Sequence, residues 1–408
     1  MNYKLTKGIA TILLLSTLFL SVIIFNRSFD GGGAYAQQAH APYLGVDMNG
    51  LNTSSSQAKN FTSSSHFPVN YYDDSFRVLS QAGMNHVRFI YFWESYEKNP
   101  TLFMNELNTV AQAADKWGIK VIYDNHQFHT SSWLDPAHGT GFPGVLFSSN
   151  PAYIYDGGGA PKSKYATLWW TNWWNRSIKD SSGTDGWTLL ADFLKKIVNT
   201  VDQHPSTLGY EIINEPQIHS DDQWSKIGQF NTFMVSTLRA VTQKTIAYSM
   251  SVPVDLKSPI GVSAENLAKM VPSNKSNVVF KISVYGVPTN PNNYQGERFN
   301  IFVKTAKLVG VPLYIGEWNN VKRQKTINEE GLVVSKINPQ LSDINQTESN
   351  LMVQTFKNTN VWGMAYWIWN FQPHIVGNYN LINATKSGPI QTTKYFDILK
   401  NSYNTIRS

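Results

Sequence analysis

The chain has 408 residues, of which 42 % are hydrophobic and 15 % are charged; this ordinary globular composition leaves room for one large domain or two smaller ones. Its formal net charge is +6, but Lys and Arg form no cluster that could follow a phosphate backbone, which argues against nucleic-acid binding. There is no cysteine, so disulfides and thiolate metal sites are excluded and the core alone must hold the fold.

The first residues have the pattern of an export signal. Two lysines precede an apolar run over residues 9–25, and an Ala-Tyr-Ala sequence that ends at residue 36 supplies the small residues of a cleavage site. We therefore predict a signal peptide over residues 1–36 and a secreted mature chain over residues 37–408. The alternative is an uncleaved anchor that holds the protein at the cell surface, because the apolar run is nearly long enough to cross a bilayer. No later segment is long and apolar enough to do so.

From residue 44 onward, short apolar runs alternate with longer amphipathic segments. The apolar runs predict strands over residues 44–48, 86–90, 121–123, 208–213, 245–250, 278–284, 312–316 and 361–366. In the segments between these strands, apolar residues recur at three- and four-residue steps. This spacing predicts helices over residues 73–83, 104–117, 187–202, 222–241, 263–270, 297–308, 347–357 and 391–403.

This alternation predicts an α/β fold, a single (β/α)8 TIM barrel without a second domain. Strands separated by helices pair in parallel, because each helix returns the chain to the same end of the sheet. A doubly wound open sheet is the rival, but no Gly-rich dinucleotide-binding turn follows the first strand. Two connections are long, residues 125–186 after the third strand and residues 318–345 after the seventh. Both follow the carboxyl ends of strands, the face on which barrel enzymes build their sites.

Two glutamates end predicted strands on opposite sides of this barrel. Glu215 lies in an Asn-Glu-Pro sequence after the fourth strand, where we expect Pro216 to hold it in an extended conformation. Glu317 ends the seventh strand. Carboxylates on facing strand ends can flank a glycosidic bond, one as acid and the other as nucleophile. The alternative is that either one is a solvated rim residue.

These motifs resemble the family 5 glycoside hydrolases, the cellulase-like branch of the barrel glycosidases, over residues 44–403. The resemblance implies that Glu215 is the acid/base, that Glu317 is the nucleophile and that Asn214 bonds the sugar 2-hydroxyl. Other residues of the family pattern fall on the second strand and shortly after the third, sixth and eighth strands: Arg88, His126, Tyr285 and Trp367.

Each of these matches has an alternative explanation. Arg88 could lie on the surface, but an Arg in an apolar strand needs a partner of opposite charge, and Glu317 is the natural one. An ion pair with Arg88 would lower the pKa of Glu317. His126 could be a core histidine. Trp369 could be the sugar platform instead of Trp367, because alternate residues of a strand share a face.

One position departs from the family pattern. On the sixth strand the family has His-x-Tyr, in which the His contacts the sugar and the Tyr donates to the nucleophile, whereas this chain has Ser283-Val284-Tyr285. We expect Ser283 to face the sugar beside the scissile bond and to leave that side of the subsite roomier. A hydroxyl can still bond a sugar oxygen there.

The connection after the third strand is rich in aromatic residues, which could form the walls of a sugar cleft or could simply fix a long loop. They are Trp133, Phe142, Tyr153, Tyr155, Tyr165, Trp169, Trp170, Trp173 and Trp174.

Together these features predict a secreted retaining hydrolase of β-linked polysaccharide or oligosaccharide, an endo-β-1,4-glucanase that acts as a monomer without metal or organic cofactor. The alternatives are a β-mannanase or another β-glycosidase on the same scaffold, and a non-catalytic surface glycan-binding barrel. Such a binder should have lost Glu215 or Glu317, and both are present.

Overall fold

The computed structural model describes residues 41–53, 70–136, 139–148, 153, 164–249, 261–286, 294–319, 323–327, 333–337, 345–370, 380–383 and 388–407. The predicted signal peptide lies outside the described residues. Within these ranges, no helix combines the length and the apolar character needed to cross a bilayer.

Eight parallel strands close into a barrel, in the order β1-β10-β7-β6-β5-β4-β3-β2. These strands are β1 (Tyr43–Asn49), β2 (His86–Tyr91), β3 (Lys120–Asn125), β4 (Thr207–Glu211), β5 (Thr245–Ser249), β6 (Val278–Tyr285), β7 (Leu313–Asn319) and β10 (Gly363–Tyr366). The predicted (β/α)8 barrel is therefore confirmed. Two further strand pairs are described. The antiparallel pair β8 (Arg323–Ile327) and β9 (Val333–Ile337) follows β7, and the short antiparallel pair β11 (Ile382–Asn383) and β12 (Gln391–Thr392) follows β10.

The described helices surround this barrel in chain order. They are α1 (Tyr71–Gln81), α2 (Trp93–Lys98), α3 (Pro100–Trp117), α4 (Val145–Ser148), α5 (Lys164–Trp174), α6 (Gly186–Val201), α7 (Gln223–Leu238), α8 (Ala264–Ala268), α9 (Tyr294–Val309), α10 (Gln346–Asn358) and α11 (Lys394–Arg407).

Local signals set the ends of the helices. The side chain of Asn99 accepts a hydrogen bond from the Leu102 backbone N–H at the start of α3, which satisfies one of the unpaired donors of the first turn. The same helix ends at Gly118, whose φ of 66° is accessible to glycine without strain. Helix α1 begins at Tyr71, so the helix that we predicted from residue 73 starts two residues earlier.

The interior of the barrel changes character along its axis. Near the amino ends of the strands it is filled by apolar and aromatic side chains such as Ile122, Val279 and Tyr314. Towards the carboxyl ends, buried charged side chains replace them, among them Arg88 and Lys281. Because buried charges need partners, this layer predicts a network of ion pairs beneath the barrel mouth.

Candidate active site

The centre of the buried layer is Arg88, on β2, which is completely shielded from solvent. Its Nε donates to Glu211 Oε2 at 2.7 Å, and its Nη1 donates to Asp47 Oδ1 at 2.9 Å. Its Nη2 lies 2.8 Å from Asp124 Oδ2, and Nη1 also reaches Glu317 Oε1 at 3.1 Å. The guanidinium therefore holds carboxylates from β1, β3, β4 and β7, a use that its five fixed donors allow.

Glu317, on β7, is the member of this network closest to the mouth, and it is 3 % exposed. Its Oε1 accepts from Lys281 Nζ at 2.9 Å as well as from Arg88, and its Oε2 accepts from the Tyr285 hydroxyl at 2.5 Å. Burial alone would raise the pKa of Glu317, but the positive charges of Lys281 and Arg88 outweigh it and hold the pKa well below its usual range. Glu317 is therefore ionised at neutral pH.

Asn214 and Glu215 follow the end of β4 and are fixed by the loop after β3. The Asn214 backbone N–H donates to the Asn125 carbonyl at 3.0 Å, and the Gln127 side-chain amide donates to the Glu215 carbonyl at 2.7 Å. Glu215 has a φ of 42°. The extended conformation that we expected before Pro216 is therefore wrong, because these contacts hold Glu215 in the left-handed region, where a non-glycine residue is strained.

The electrostatic environment of Glu215 is opposite to that of Glu317. Burial raises the pKa of Glu215, and repulsion by the Glu317 carboxylate raises it further. Lys281, a hydrogen bond with Ser283 and the nearby His126 act in the lowering direction without reversing the shift. Two neighbouring carboxyl groups thus have pKa values driven apart.

His126 lies between the buried layer and Trp367. Its Nδ1 lies 2.7 Å from Asp124 Oδ2, and its Nε2 lies 3.2 Å from the Asn214 side-chain nitrogen. Because a carboxylate only accepts, Nδ1 donates to Asp124, and Nε2 accepts from Asn214. The imidazole stacks on the indole of Trp367, with ring centroids 5.7 Å apart.

The structure brings all eight residues singled out in the sequence to one end of the barrel. Ser283 accepts a hydrogen bond from Lys281 Nζ at 3.0 Å and also contacts Glu215, so it faces the barrel interior as we expected. Trp367 is partly exposed beside His126. Trp369 is fully buried and donates to the Ser75 hydroxyl at 3.1 Å, which makes it a core residue.

Four charged members of the site were missed in the sequence. They are Asp47, Asp124, Glu211 and Lys281. A signal was present, because Lys281 is two and four residues before Ser283 and Tyr285 and therefore shares their face of β6. A charged residue in an apolar strand needs a partner of opposite charge, and this holds for Lys281 and for the three acidic residues as it does for Arg88.

The aromatic residues after β3 do not form cleft walls as a group. Trp169, Trp170, Trp173 and Trp174 lie on α5 and are at most 2 % exposed. Trp170 donates its indole N–H to the Thr130 hydroxyl, and Trp174 donates to the Gln217 carbonyl, both at 2.8 Å. They fix the long connection to the loop after Glu215. Trp133 is 46 % exposed, and Tyr155 lies outside the described residues.

In the part of the chain that the structure describes, no group of His, Asp or Glu side chains is arranged as a metal site. The acidic residues of the buried layer are instead paired with Arg88 and Lys281.

Comparison with known proteins gives a family match and several similar folds. The family model described as Cellulase (glycosyl hydrolase family 5) matches residues 46–373. No curated protein sequence matches the chain.

The similar solved structures include an endogalactoceramidase, with a TM-score of 0.63 and 17 % identity over 88 % of this chain and 80 % of that chain. Endo-glycoceramidase II from Rhodococcus sp. has a TM-score of 0.58 and 16 % identity over 88 % of this chain and 78 % of that chain. An endo-β-1,4-glucanase triple mutant from Xanthomonas axonopodis pv. citri has a TM-score of 0.55 and 15 % identity over 90 % of this chain and 100 % of that chain. At such identities these likenesses show the fold alone.

Proposed function

The chain belongs to glycoside hydrolase family 5, and from this premise we propose that it is a retaining endo-β-1,4-glucanase with Glu215 as acid/base and Glu317 as nucleophile. The observation that carries the proposal is the opposite electrostatic treatment of two adjacent carboxyl groups. Glu317 is held ionised by Lys281 and Arg88, whereas burial and the Glu317 charge favour the protonated form of Glu215. A retaining glycosidase needs one ionised and one protonated carboxyl group on either side of the scissile bond.

The reaction proceeds in two displacements. In the first, Glu317 attacks the anomeric carbon and forms a glycosyl ester, while Glu215 gives its proton to the departing glycosidic oxygen. In the second, Glu215 takes a proton from water, whose oxygen displaces the ester and restores the Glu317 carboxylate. Two inversions give net retention, and neither metal nor organic cofactor takes part.

The remaining site residues orient the sugar. Asn214 is fixed from both ends, since its Oδ1 accepts from Arg88 Nη2 at 3.0 Å and its Nδ2 donates to the Gln127 carbonyl at 3.2 Å. The amide is therefore held in one orientation, and a sugar 2-hydroxyl would bond it in exchange for one of its present partners. Trp367 offers a partly exposed indole face, which suits the flat C–H face of a pyranose.

The substrate is the part of the proposal that a direct screen must test. The panel should contain soluble cellulose derivatives, mixed-linkage glucan, mannan and xylan. It should also contain glycosylceramides, because two similar structures are named for such substrates. Preferential release of cello-oligosaccharides supports the glucanase, and preferential cleavage of mannan supports the mannanase alternative. Binding of a glycan without cleavage supports the non-catalytic alternative.

Azide rescue tests the roles of the two glutamates. Glu215→Ala and Glu317→Ala should each lose hydrolysis while keeping the fold, and Glu265→Ala, at an exposed position, should keep full activity. With an activated aryl β-glycoside, Glu215→Ala still forms the glycosyl ester on Glu317, and azide displaces this ester to give a β-glycosyl azide. Glu317→Ala has no nucleophile of its own, so azide attacks the substrate directly and gives an α-glycosyl azide. Near-native hydrolysis by either variant would refute the assignment.

We also propose that the protein is exported and that its mature chain begins near residue 37. The support is the sequence pattern over residues 1–36. Amino-terminal sequencing of protein recovered from the culture medium tests it. An intact first residue on material from the membrane fraction would favour the uncleaved anchor instead.

A further inference from the structure

Lys281 is a buried cation that makes or breaks no bond in the two displacements described above. Its side chain has no exposed surface, and its Nζ lies 2.5 Å from Asn214 Oδ1, 2.9 Å from Glu317 Oε1 and 3.0 Å from Ser283 Oγ. An ammonium group has three hydrogens to donate, so these three contacts use its full donor capacity.

The neighbouring strand is shaped around this lysine. The pairing of β6 with β7 shifts between Ile282 and Ser283, which brings Ser283 opposite Glu317. At the shift β7 carries Gly316, where an added Cβ would come within 2.5 Å of Lys281 Cε and 2.6 Å of its Cγ. The missing side chain of this glycine therefore leaves the path along which the lysine stem runs.

We propose that Lys281 is a positioning residue of the catalytic site, whose ammonium group fixes Glu317 against Asn214 and, through the Ser283 hydroxyl, joins the nucleophile to the acid/base. The inference rests on the proposed function and adds to it a residue that acts on both glutamates at once.

Charge distribution explains why Arg88 does not make Lys281 redundant. Arg88 divides its donors among Glu211, Asp47 and Glu317, and it also pairs with Asp124. The charged and titratable groups that face the ammonium or its direct partners come from six strands and the loops after them: Asp47, Arg88, Asp124, His126, Glu211, Glu215, Tyr285 and Glu317. Of this set only Arg88 carries a permanent positive charge, and Lys281 supplies the second one.

The position of Lys281 has a consequence for the second displacement. Its charge lowers the pKa of both Glu317 and Glu215. Once Glu317 is a neutral ester, the repulsion that raised the pKa of Glu215 is gone, and the ammonium remains. The charge of Lys281 then favours the ionised Glu215 that must accept a proton from water.

The test is the variant Lys281→Met, which keeps the length of the stem and removes the charge. We expect both limbs of the pH profile of kcat/KM to move to higher pH, the acid limb by about one unit or more, because an opposite charge at this distance lowers a carboxyl pKa by about that amount. Lys226→Met is the matched control, since Lys226 forms an exposed pair with Asp222, and its profile should match that of the wild type. A merely structural role would lower kcat/KM at every pH and leave both limbs in place, which would overturn the proposal.

Two additions keep the inference separable from the proposed function and from folding. If the wild type cleaves no glycan, the proposed function fails, and carboxyl ¹³C NMR titration of Glu317 and Glu215 then tests Lys281 directly; both pKa values should rise in Lys281→Met, and unchanged values would overturn the inference. If Lys281→Met does not fold, the double variant Lys281→Met/Glu211→Gln keeps the net charge of the buried layer and is measured in its place. Both pKa values should still rise, but by less, because loss of the Glu211 charge acts in the opposite direction.

Discussion

The indole of Trp367 lies against the imidazole of His126, with the two rings inclined by 26°. That imidazole is held by Asp124 on one side and by Asn214 on the other, so the indole rests on a fixed surface. Because Trp367 is partly exposed, part of this supported indole is open to solvent. Trp369, only two residues away, packs against Phe396 in the core instead.

This contrast between two tryptophans gives the first prediction. Trp369→Ala should lower the free energy of unfolding by about 3–5 kcal/mol, as expected for removal of a buried aromatic side chain, while KM changes little. Trp367→Ala should lower kcat/KM by about tenfold or more with a much smaller loss of stability, because the indole is partly exposed and its loss removes sugar stacking. Chemical denaturation and kinetics on both variants check this. Equal losses of stability would contradict the assignment of Trp367 to the sugar.

The second prediction concerns the stability cost of the acid/base. The pKa of Glu215 is raised in the folded state by burial and by Glu317, so the folded protein binds that proton more tightly than the unfolded chain does. The resulting stabilisation is present below the unfolded-state pKa of a glutamate and is lost as the pH rises through the folded-state pKa. Glu215→Gln should therefore raise Tm at pH 7 and change it little at pH 4, although it abolishes activity. The comparison requires thermal melts at both pH values, and an equal change at both would exclude the electrostatic explanation.

The third prediction concerns Arg88. Arg88→Met leaves buried carboxylates without their main partner, so it should lower the free energy of unfolding by about 3–5 kcal/mol and abolish hydrolysis. Arg88→Lys restores a charge but not the fork of donors that reaches Glu211 and Asp47 together, so we expect it to recover only part of the loss. The control is Arg77→Met, which breaks a pair with Asp74 at the surface and should cost no more than about 1 kcal/mol. A small effect of Arg88→Met would show that the carboxylates can be neutralised by protonation.

The barrel and the strand ends that carry Glu215 and Glu317 were predictable because both follow from local patterns. Alternation of apolar runs with amphipathic segments determines parallel pairing, and the carboxyl end of each strand follows from its length. The strained backbone of Glu215 was not predictable. It depends on Gln127, in the loop after β3, and on Ser249, at the end of β5, whereas the local preference set by Pro216 favours the extended conformation.

Lys281 and the tryptophans of α5 show a second limit. The contact between Lys281 and Glu317 depends on a register shift opposite Gly316, and a one-residue shift decides which side chains face inward. The helical spacing of the four tryptophans of α5 is compatible with a buried face. The ring that packs against Trp173 and Trp174, however, is Phe230 on α7, far along the chain.

The fourth prediction concerns Ser283, where the family pattern has His. Its hydroxyl accepts from Lys281 and contacts Glu215, and the side chain is half-buried at the mouth of the barrel. Ser283→His should keep the fold, because the residue borders the open end, and its neutral imidazole can accept the same hydrogen bond from Lys281. We expect Tm to remain within a few degrees of the wild type and turnover or substrate preference to change, since the larger ring fills space beside the scissile bond.

The matched variant Ser283→Ala separates space from hydrogen bonding at this position. It removes the hydroxyl without adding volume, so it should cost about 1 kcal/mol of stability. Because the hydrogen bond from Ser283 lowers the pKa of Glu215, its loss should move the alkaline limb of kcat/KM to higher pH. Ser283→His should instead alter the ranking of glycan substrates. If both variants rank the substrates as the wild type does and keep its pH profile, Ser283 acts on neither the sugar nor Glu215, and its contact with Lys281 is structural.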